Sequence, residues 1–324
     1  RPLFDLAELE AVRGLVCRHV PPTPQHVWPL LGRRLGAEVV VKHENHTPTG
    51  AFKVRGGIVH LTRLKNAAVP CPGVISATRG NHGQSLALAG QITGIPVTIV
   101  VPHGNSAEKN AAMRAFGAEL IEFGEDFEAA RGEAGRLAET RGLTMVPSFH
   151  RDLVLGVATY SLELFRAHRD LDVVYVPIGM GSGICGAILV RDLLGLKTEI
   201  VGVQSDGAPS YALSLAAGHA VSTQTAVTHA DGMATRVPDA TALGIIMAGA
   251  ARIVTVSDDQ IAGAIRTYWS DTHNLAEGAG AAPLAAALEE KSRNAGRRVG
   301  LILSGGNIDL DLYRDWVLAA PGVA

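Results

Sequence analysis

The sequence predicts an α/β protein with open, twisted, mainly parallel sheets flanked by helices. Short β-branched runs recur along its 324 residues, each followed by a longer alanine- and leucine-rich stretch. Glycine-rich turns come directly after several of these runs. Continuous apolar runs suit strands buried on both faces of a parallel sheet, and the longer stretches suit the helices that cross over between them.

The candidate strands come in this order. Val39-Val40-Val41 is followed by Gly73-Val74-Ile75-Ser76, Val97-Thr98-Ile99-Val100-Val101 and Leu120-Ile121-Glu122-Phe123. Next are Val173-Val174-Tyr175-Val176, Ile200-Val201-Gly202-Val203 and Ile253-Val254-Thr255-Val256, and the last is Val299-Gly300-Leu301-Ile302-Leu303. Between them, 106–116, 126–141, 157–169 and 258–272 read as helices. Open sheets of this kind bind ligands at the carboxyl ends of their strands. The chemistry is therefore expected in the turns that follow the strands.

The whole chain narrows the function classes. A formal net charge of −2 without a long charge run gives no sign of a nucleic-acid or membrane-surface partner. Cys17, Cys71 and Cys185 are widely spaced and make neither a disulfide framework nor a zinc motif, which predicts a reducing, cytoplasmic setting. The N-terminal Arg1-Pro2-Leu3-Phe4-Asp5 does not read as a signal peptide. Val173 to Val190 is about 18 residues without a charge, close to a membrane span. Pro177 and the glycines in its middle predict instead a strand, a glycine turn and the start of a buried helix.

Lys53 is boxed into Pro48-Thr49-Gly50-Ala51-Phe52-Lys53-Val54-Arg55-Gly56-Gly57. A lysine drawn into a tight, partly dry turn has a depressed pKa and serves as an amine nucleophile, able to hold an aldehyde cofactor as a Schiff base. A surface lysine after a strand end is the plainer alternative. Gly179-Met180-Gly181-Ser182-Gly183 follows a strand, and converging backbone N–H groups there suit a phosphate. The same loop fits the dinucleotide spacing Gly181-x-Gly183-x-x-Gly186, with Asp206 as a ribose acid, so an NAD-dependent oxidoreductase is a rival. Thr78-Arg79-Gly80-Asn81-His82-Gly83-Gln84 offers donors for a carboxylate at a helix start. Ser304-Gly305-Gly306-Asn307 places a small hydroxyl at a strand end where something flat can approach the backbone. His43-Glu44-Asn45-His46 has the wrong spacing for a zinc helix, and Gly-Ser182-Gly is not a nucleophile elbow.

Together these segments resemble the fold-type II pyridoxal-phosphate enzymes of the tryptophan synthase β-subunit superfamily, and most of all the threonine/serine dehydratase and serine racemase branch. The landmarks stand in the family's order: Lys42-x-Glu44, the Lys53 segment, Gly80-Asn81-His82-Gly83-Gln84, Val176-Pro177 with the glycine loop, Ala230-Asp231-Gly232, Glu277-Gly278-Ala279-Gly280 and Ser304-Gly305-Gly306-Asn307. The resemblance implies two sheets, with a large unit of residues 1–65 and 151–324 and a small mobile unit of residues 66–150. It implies pyridoxal 5′-phosphate held by Phe52, Lys53, Asn81, Gly179, Met180, Gly181, Ser182, Gly183, Glu277 and Ser304, with Lys53 catalytic. It implies an amino-acid carboxylate held by Thr78, Asn81 and His82; Arg79 departs from the family's small residue there and is expected to bind or shape the substrate's β-substituent. A homodimer is expected.

The implied activity is that of an ammonia-lyase, a dehydratase converting a β-hydroxy amino acid of the serine/threonine class to a 2-oxo acid and ammonia. Phenylserine and 3-hydroxyaspartate are further candidate substrates. A racemase or β-replacement enzyme is the alternative on the same fold. A neutral hydroxyl such as Ser304 leaves the pyridine nitrogen unprotonated, weakens the electron sink and favours elimination over transamination. Arg79 stands where racemases of the branch carry a proton-relaying serine, and arginine is a poor base. Gln204 and Ser210 stand where cation-dependent relatives have carboxylate ligands, and Ala208 where they use a backbone carbonyl; with both carboxylates missing, no Mg²⁺ or Ca²⁺ site of that type is expected. The chain ends soon after Asn307, so no C-terminal regulatory domain is expected.

Overall fold

The computed structural model describes residues 2–319. The outer limits of the expected large unit, residue 1 and residues 320–324, lie outside them. Among the described residues, ten strands form two sheets: β1 (Gln25–Val27), β2 (Glu38–His43), β3 (Val74–Ala77), β4 (Val97–Val101), β5 (Glu119–Glu122), β6 (Thr144–Met145), β7 (Val173–Pro177), β8 (Glu199–Ser205), β9 (Arg252–Val256) and β10 (Arg298–Leu303). The larger sheet has the order β1-β2-β10-β7-β8-β9 and the smaller β5-β4-β3-β6. Every pairing is parallel except β1 with β2.

The expected strands are all present, within a residue or two at their ends. Two were not anticipated. β1 reads Gln-His-Val on the sheet edge, and β6 is only two residues long, so neither has an apolar run. The helix expected over 157–169 begins at Arg151, because the His150 side chain accepts from Asp152 N–H and caps it there. Val39, Val40, Val41, Val173, Val174, Leu301 and Leu303 are fully buried, as strands covered on both faces must be. No helix among the described residues is long and apolar enough to cross a membrane.

The parallel register fixes where the turns meet. Leu303 lies beside His43, so the segments after β2 and β10 leave the larger sheet on the same edge. The glycine loop after β7 leaves there too. The helix Val54–Lys65, which begins just after Lys53, packs against the helix Arg151–Ala167. Backbone comes close to backbone at that crossing: a Cβ on Gly156 would lie 2.3 Å from Arg55 O, and one on Gly56 would lie 2.7 Å from Leu153 O.

Beneath the Lys53 segment lies a dry ionic network. Arg55 donates to Glu44 (2.8 and 2.9 Å) and to Glu163 (2.8 and 3.1 Å), while Lys42 donates to Glu163 at 2.6 Å. Thr23 donates to Glu44 and Thr159 accepts from Arg55. Lys42, Glu44 and Arg55 are 0% exposed. Two cations and two anions balance one another, which burial requires.

Candidate active site

Lys53 stands at the N-terminal end of the helix Val54–Lys65. Its position is set from below by Arg55 and from the side by strand-like contacts. Ala51 bridges Gly305, and Phe52 N–H donates to Ser304 O at 3.0 Å. Gly50 needs its positive φ of 70° to make the turn, and Gly306 N–H donates to Gly50 O. The Lys53 amine makes no hydrogen bond among the described residues. Burial pushes its pKa below the ordinary lysine value, offset in part by the Glu277 carboxylate.

A cleft open to solvent is lined by Lys53, Thr78, Asn81, His82, Asp231 and Glu277, with the exposed Arg79 and with Lys109 on its wall. Asn81 ties its sides together. Its Nδ2 donates to Glu277 Oε1 at 2.7 Å, and its Oδ1 accepts from Asn307 Nδ2 at 2.8 Å. Burial raises the Glu277 pKa, against the lowering pull of Lys109, the Asn81 hydrogen bond and Lys53. Lys109 reaches across to Asp231 at 3.2 Å; burial lowers its pKa, but Asp231 and Glu277 more than reverse this. His82 is 5% exposed, and its Nε2 has no hydrogen-bond partner among the described residues. Burial, with Lys53 and His60 nearby, lowers its pKa to about 3, so the imidazole is neutral.

Phe52, Ser304 and the loop 179–183 do not line this cleft. They adjoin it through the Lys53 turn. A Cβ on Gly183 would lie 3.7 Å from the Phe52 ring and 3.1 Å from Tyr160 OH, so ring and loop are neighbours. Gly181, with φ 104°, ends the loop and caps the helix Ser182–Leu193, whose first-turn N–H groups have no intrahelical acceptor. Tyr211 braces the loop by donating to Met180 O at 2.9 Å. Gly179 passes so close to the Ala230-Asp231-Gly232 segment that a Cβ would lie 2.2 Å from Gly232 O. Ser304 is buried, and its hydroxyl makes no hydrogen bond among the described residues.

Lys109 was not singled out in the sequence, where a lysine on an alanine-rich helix reads as solvated. Glu163 was missed as well, although Lys42, Glu44 and Arg55 all lie in the motifs quoted above. The His43 and His46 rings of His43-Glu44-Asn45-His46 stay 5.3 Å apart, but the segment's partners differ: His43 accepts from Trp28 Nε1 at 3.0 Å, Glu44 joins the ionic network, and His46 bonds Asn274. Gln204 turns its Oε1 to Ala212 N–H, and Ser210 donates to Thr235 O. Asp206, the ribose acid of the dinucleotide alternative, is exposed in the turn after β8.

A partly buried amine and a buried hydroxyl that make no hydrogen bond among the described residues, N–H groups at a helix start and an aromatic ring beside them fit an aldehyde-bearing, phosphorylated aromatic cofactor. The family model for pyridoxal-phosphate dependent enzymes matches residues 16–305. An L-threonine ammonia-lyase of Geobacter sulfurreducens is 36% identical over 86% of this chain and 69% of its own. An L-threo-3-hydroxyaspartate ammonia-lyase of a Pseudomonas species is 34% identical over 90% of this chain and 91% of its own. The solved structure of maize serine racemase superposes with a TM-score of 0.90 at 27% identity, covering 96% of each chain.

Proposed function

From the premise that this chain belongs to the pyridoxal-phosphate dependent enzyme family, we propose that it is a dehydratase, an ammonia-lyase that converts a β-hydroxy amino acid to a 2-oxo acid and ammonia. The observation that carries the reading is the partly buried Lys53 amine, without a hydrogen bond among the described residues, facing a cleft with Asn81, Thr78 and neutral His82.

The residues that would hold the cofactor are Lys53 at its aldehyde carbon, the backbone of 179–183 at its phosphate, and Phe52, Asn81, Glu277 and Ser304 around its ring. When bound, pyridoxal phosphate supplies an electron sink that acidifies the amino-acid Cα–H. Burial leaves the Lys53 Nζ easier to deprotonate than an ordinary lysine, which suits it to take the proton from Cα. Thr78 and the N-terminal turn of the helix Asn81–Thr93 orient the substrate carboxylate. Neutral His82 contributes a polar nitrogen without adding a charge beside Lys53. Lys109 and Asp231 meet across the cleft and help to exclude water when a substrate is in place. Arg79, exposed on the rim, offers a cation to an acidic β-substituent such as that of 3-hydroxyaspartate.

The reading includes a homodimer in the cytoplasm and a small mobile unit of residues 66–150 within a large one formed by residues 1–65 and 151–324. The smaller sheet, spanning residues 74–145, supports that division.

The test is 2-oxo acid release from L- and D-serine, threonine, 3-hydroxyaspartate and phenylserine. Release from at least one is expected. Cofactor-loaded protein that releases none but inverts Cα, or exchanges the β-substituent for a thiol, would replace the lyase with a racemase or β-replacement enzyme.

A further inference from the structure

Behind His82, the helix Val54–Lys65 and the first turn of the helix Arg151–Ala167 bring His60, His150 and Asp152 together. One donor atom from each lies within 4.8 Å of the other two. His60 Nδ1 is 3.7 Å from Asp152 Oδ2, and His150 Nδ1 is 3.8 Å from the same oxygen. His60 is 6% exposed, and its buried Nδ1 makes no hydrogen bond among the described residues; its one polar approach is the 3.7 Å to that oxygen. A buried nitrogen lone pair or N–H left unbonded is costly, and native proteins rarely leave one without a reason.

From this geometry we propose that His60, His150 and Asp152 form a binding site for a divalent transition-metal ion, Zn²⁺ in the first instance. Two imidazoles and one carboxylate select zinc over the oxygen-seeking Mg²⁺ and Ca²⁺. Zinc bonds of about 2.0–2.2 Å in a tetrahedron put neighbouring donors roughly 3.3–3.5 Å apart. The 3.7 and 3.8 Å to Asp152 need to close by only a few tenths of an ångström, and the two imidazole donors, within 4.8 Å of each other, by about 1.5 Å at most. The fourth position is left to water.

The surroundings suit the site. The two Asp152 oxygens are divided: Oδ1 accepts from Arg63, and Oδ2 faces the histidines. An outer hydrogen bond of this kind orients a ligating carboxylate. Glu8 pairs with both Arg63 and Arg151, which offsets the two guanidiniums beside Asp152. The backbone contacts at Gly56 and Gly156 hold the two helices at fixed spacing. One competing bond exists: Asp152 N–H donates to His150 Nδ1 at 3.1 Å, and binding through that nitrogen would replace this helix cap. The site is separate from Gln204, Ala208 and Ser210, and it does not depend on which reaction the cleft performs. An ion there would staple the helix that begins at Lys53 to its neighbour.

The test is calorimetric titration of the cofactor-loaded enzyme with zinc chloride, with thermal unfolding alongside, for the wild type, His60→Gln and His150→Gln. His150 is partly exposed, so its variant tests the site even if His60→Gln does not fold. The expected result is one ion per chain and a raised Tm in the wild type, with affinity at least tenfold weaker in each folded variant. Cobalt(II) in the wild type should show the visible absorption of a four-coordinate site. Equal zinc binding by the wild type and His150→Gln, or binding abolished by Cys17→Ser or Cys71→Ser instead, would overturn the proposal. So would the absence of saturable binding.

Discussion

Asn81 donates to Glu277 across 196 positions of sequence, with Nδ2 2.7 Å from Oε1. Glu277 occupies the N-cap position of the helix Gly278–Glu289, yet its side chain does not cap that helix. It turns instead into the cleft, under Asn81 and beside Gly305, where a Cβ would lie 2.7 Å from Oε1. Asn81, Glu277 and Asn307 thus clasp a segment of the smaller sheet to segments of the larger one.

Replacing Glu277 by alanine leaves the Asn81 donor unsatisfied and removes the anion beside Lys53 and Lys109. The expected cost is about 1–3 kcal/mol. Glu277→Gln keeps an acceptor for Asn81, and because burial already opposes the charged form, it should cost less. Urea unfolding of both variants checks the order. An equal loss would mean that the hydrogen bond contributes nothing.

The Lys42, Glu44, Arg55 and Glu163 network should not tolerate loss of one partner. Glu163→Ala leaves two buried cations facing one carboxylate, and about 3–5 kcal/mol of stability should go with it. A loss below about 1 kcal/mol, the level of a surface pair, would contradict this account.

His82 and His43 are both held neutral, each with a pKa lowered to about 3, chiefly by burial. Between that value and the ordinary 6.5, the unfolded chain binds a proton that the folded chain refuses. Their contribution therefore weakens stability as pH falls through 6.5, and is absent above it. Each should account for at most about 2 kcal/mol between pH 7 and pH 5. Urea unfolding over that range should show a shallower slope for His82→Gln. An imidazole resonance of His82 titrating near 6.5 in NMR would contradict the assignment.

Gly179→Ala forces a methyl group to within 2.2 Å of Gly232 O, which is backbone and cannot swing away. Gly183→Ala meets side chains alone: Tyr160 OH at 3.1 Å, and the Phe52 ring and a Val176 methyl at 3.7 Å. Cofactor affinity, read by titration of the apo form, should fall by about tenfold or more for Gly179→Ala, ~1.4 kcal/mol, and by less for Gly183→Ala. The reverse order would place the phosphate elsewhere.

The apolar strands were legible because burial on both faces leaves an unbroken run, as at Val39-Val40-Val41. β1 was not, since an edge strand reading Gln-His-Val carries no such signal. Lys53, Asn81 and the glycine loop stood out because local composition demanded an explanation. Lys109, Glu163 and the His60, His150 and Asp152 cluster did not, since their meaning lies in partners far along the chain. Glu163 meets Arg55 across 108 positions, and its neighbours on the helix give no hint of it.

The most direct measurement is borohydride reduction of the cofactor-loaded protein followed by peptide mass mapping. The account predicts a pyridoxyl phosphate adduct on the peptide that contains Lys53, and none in Lys53→Ala. An adduct on Lys42 or Lys109, or cofactor-loaded protein in which no lysine is labelled, would contradict it.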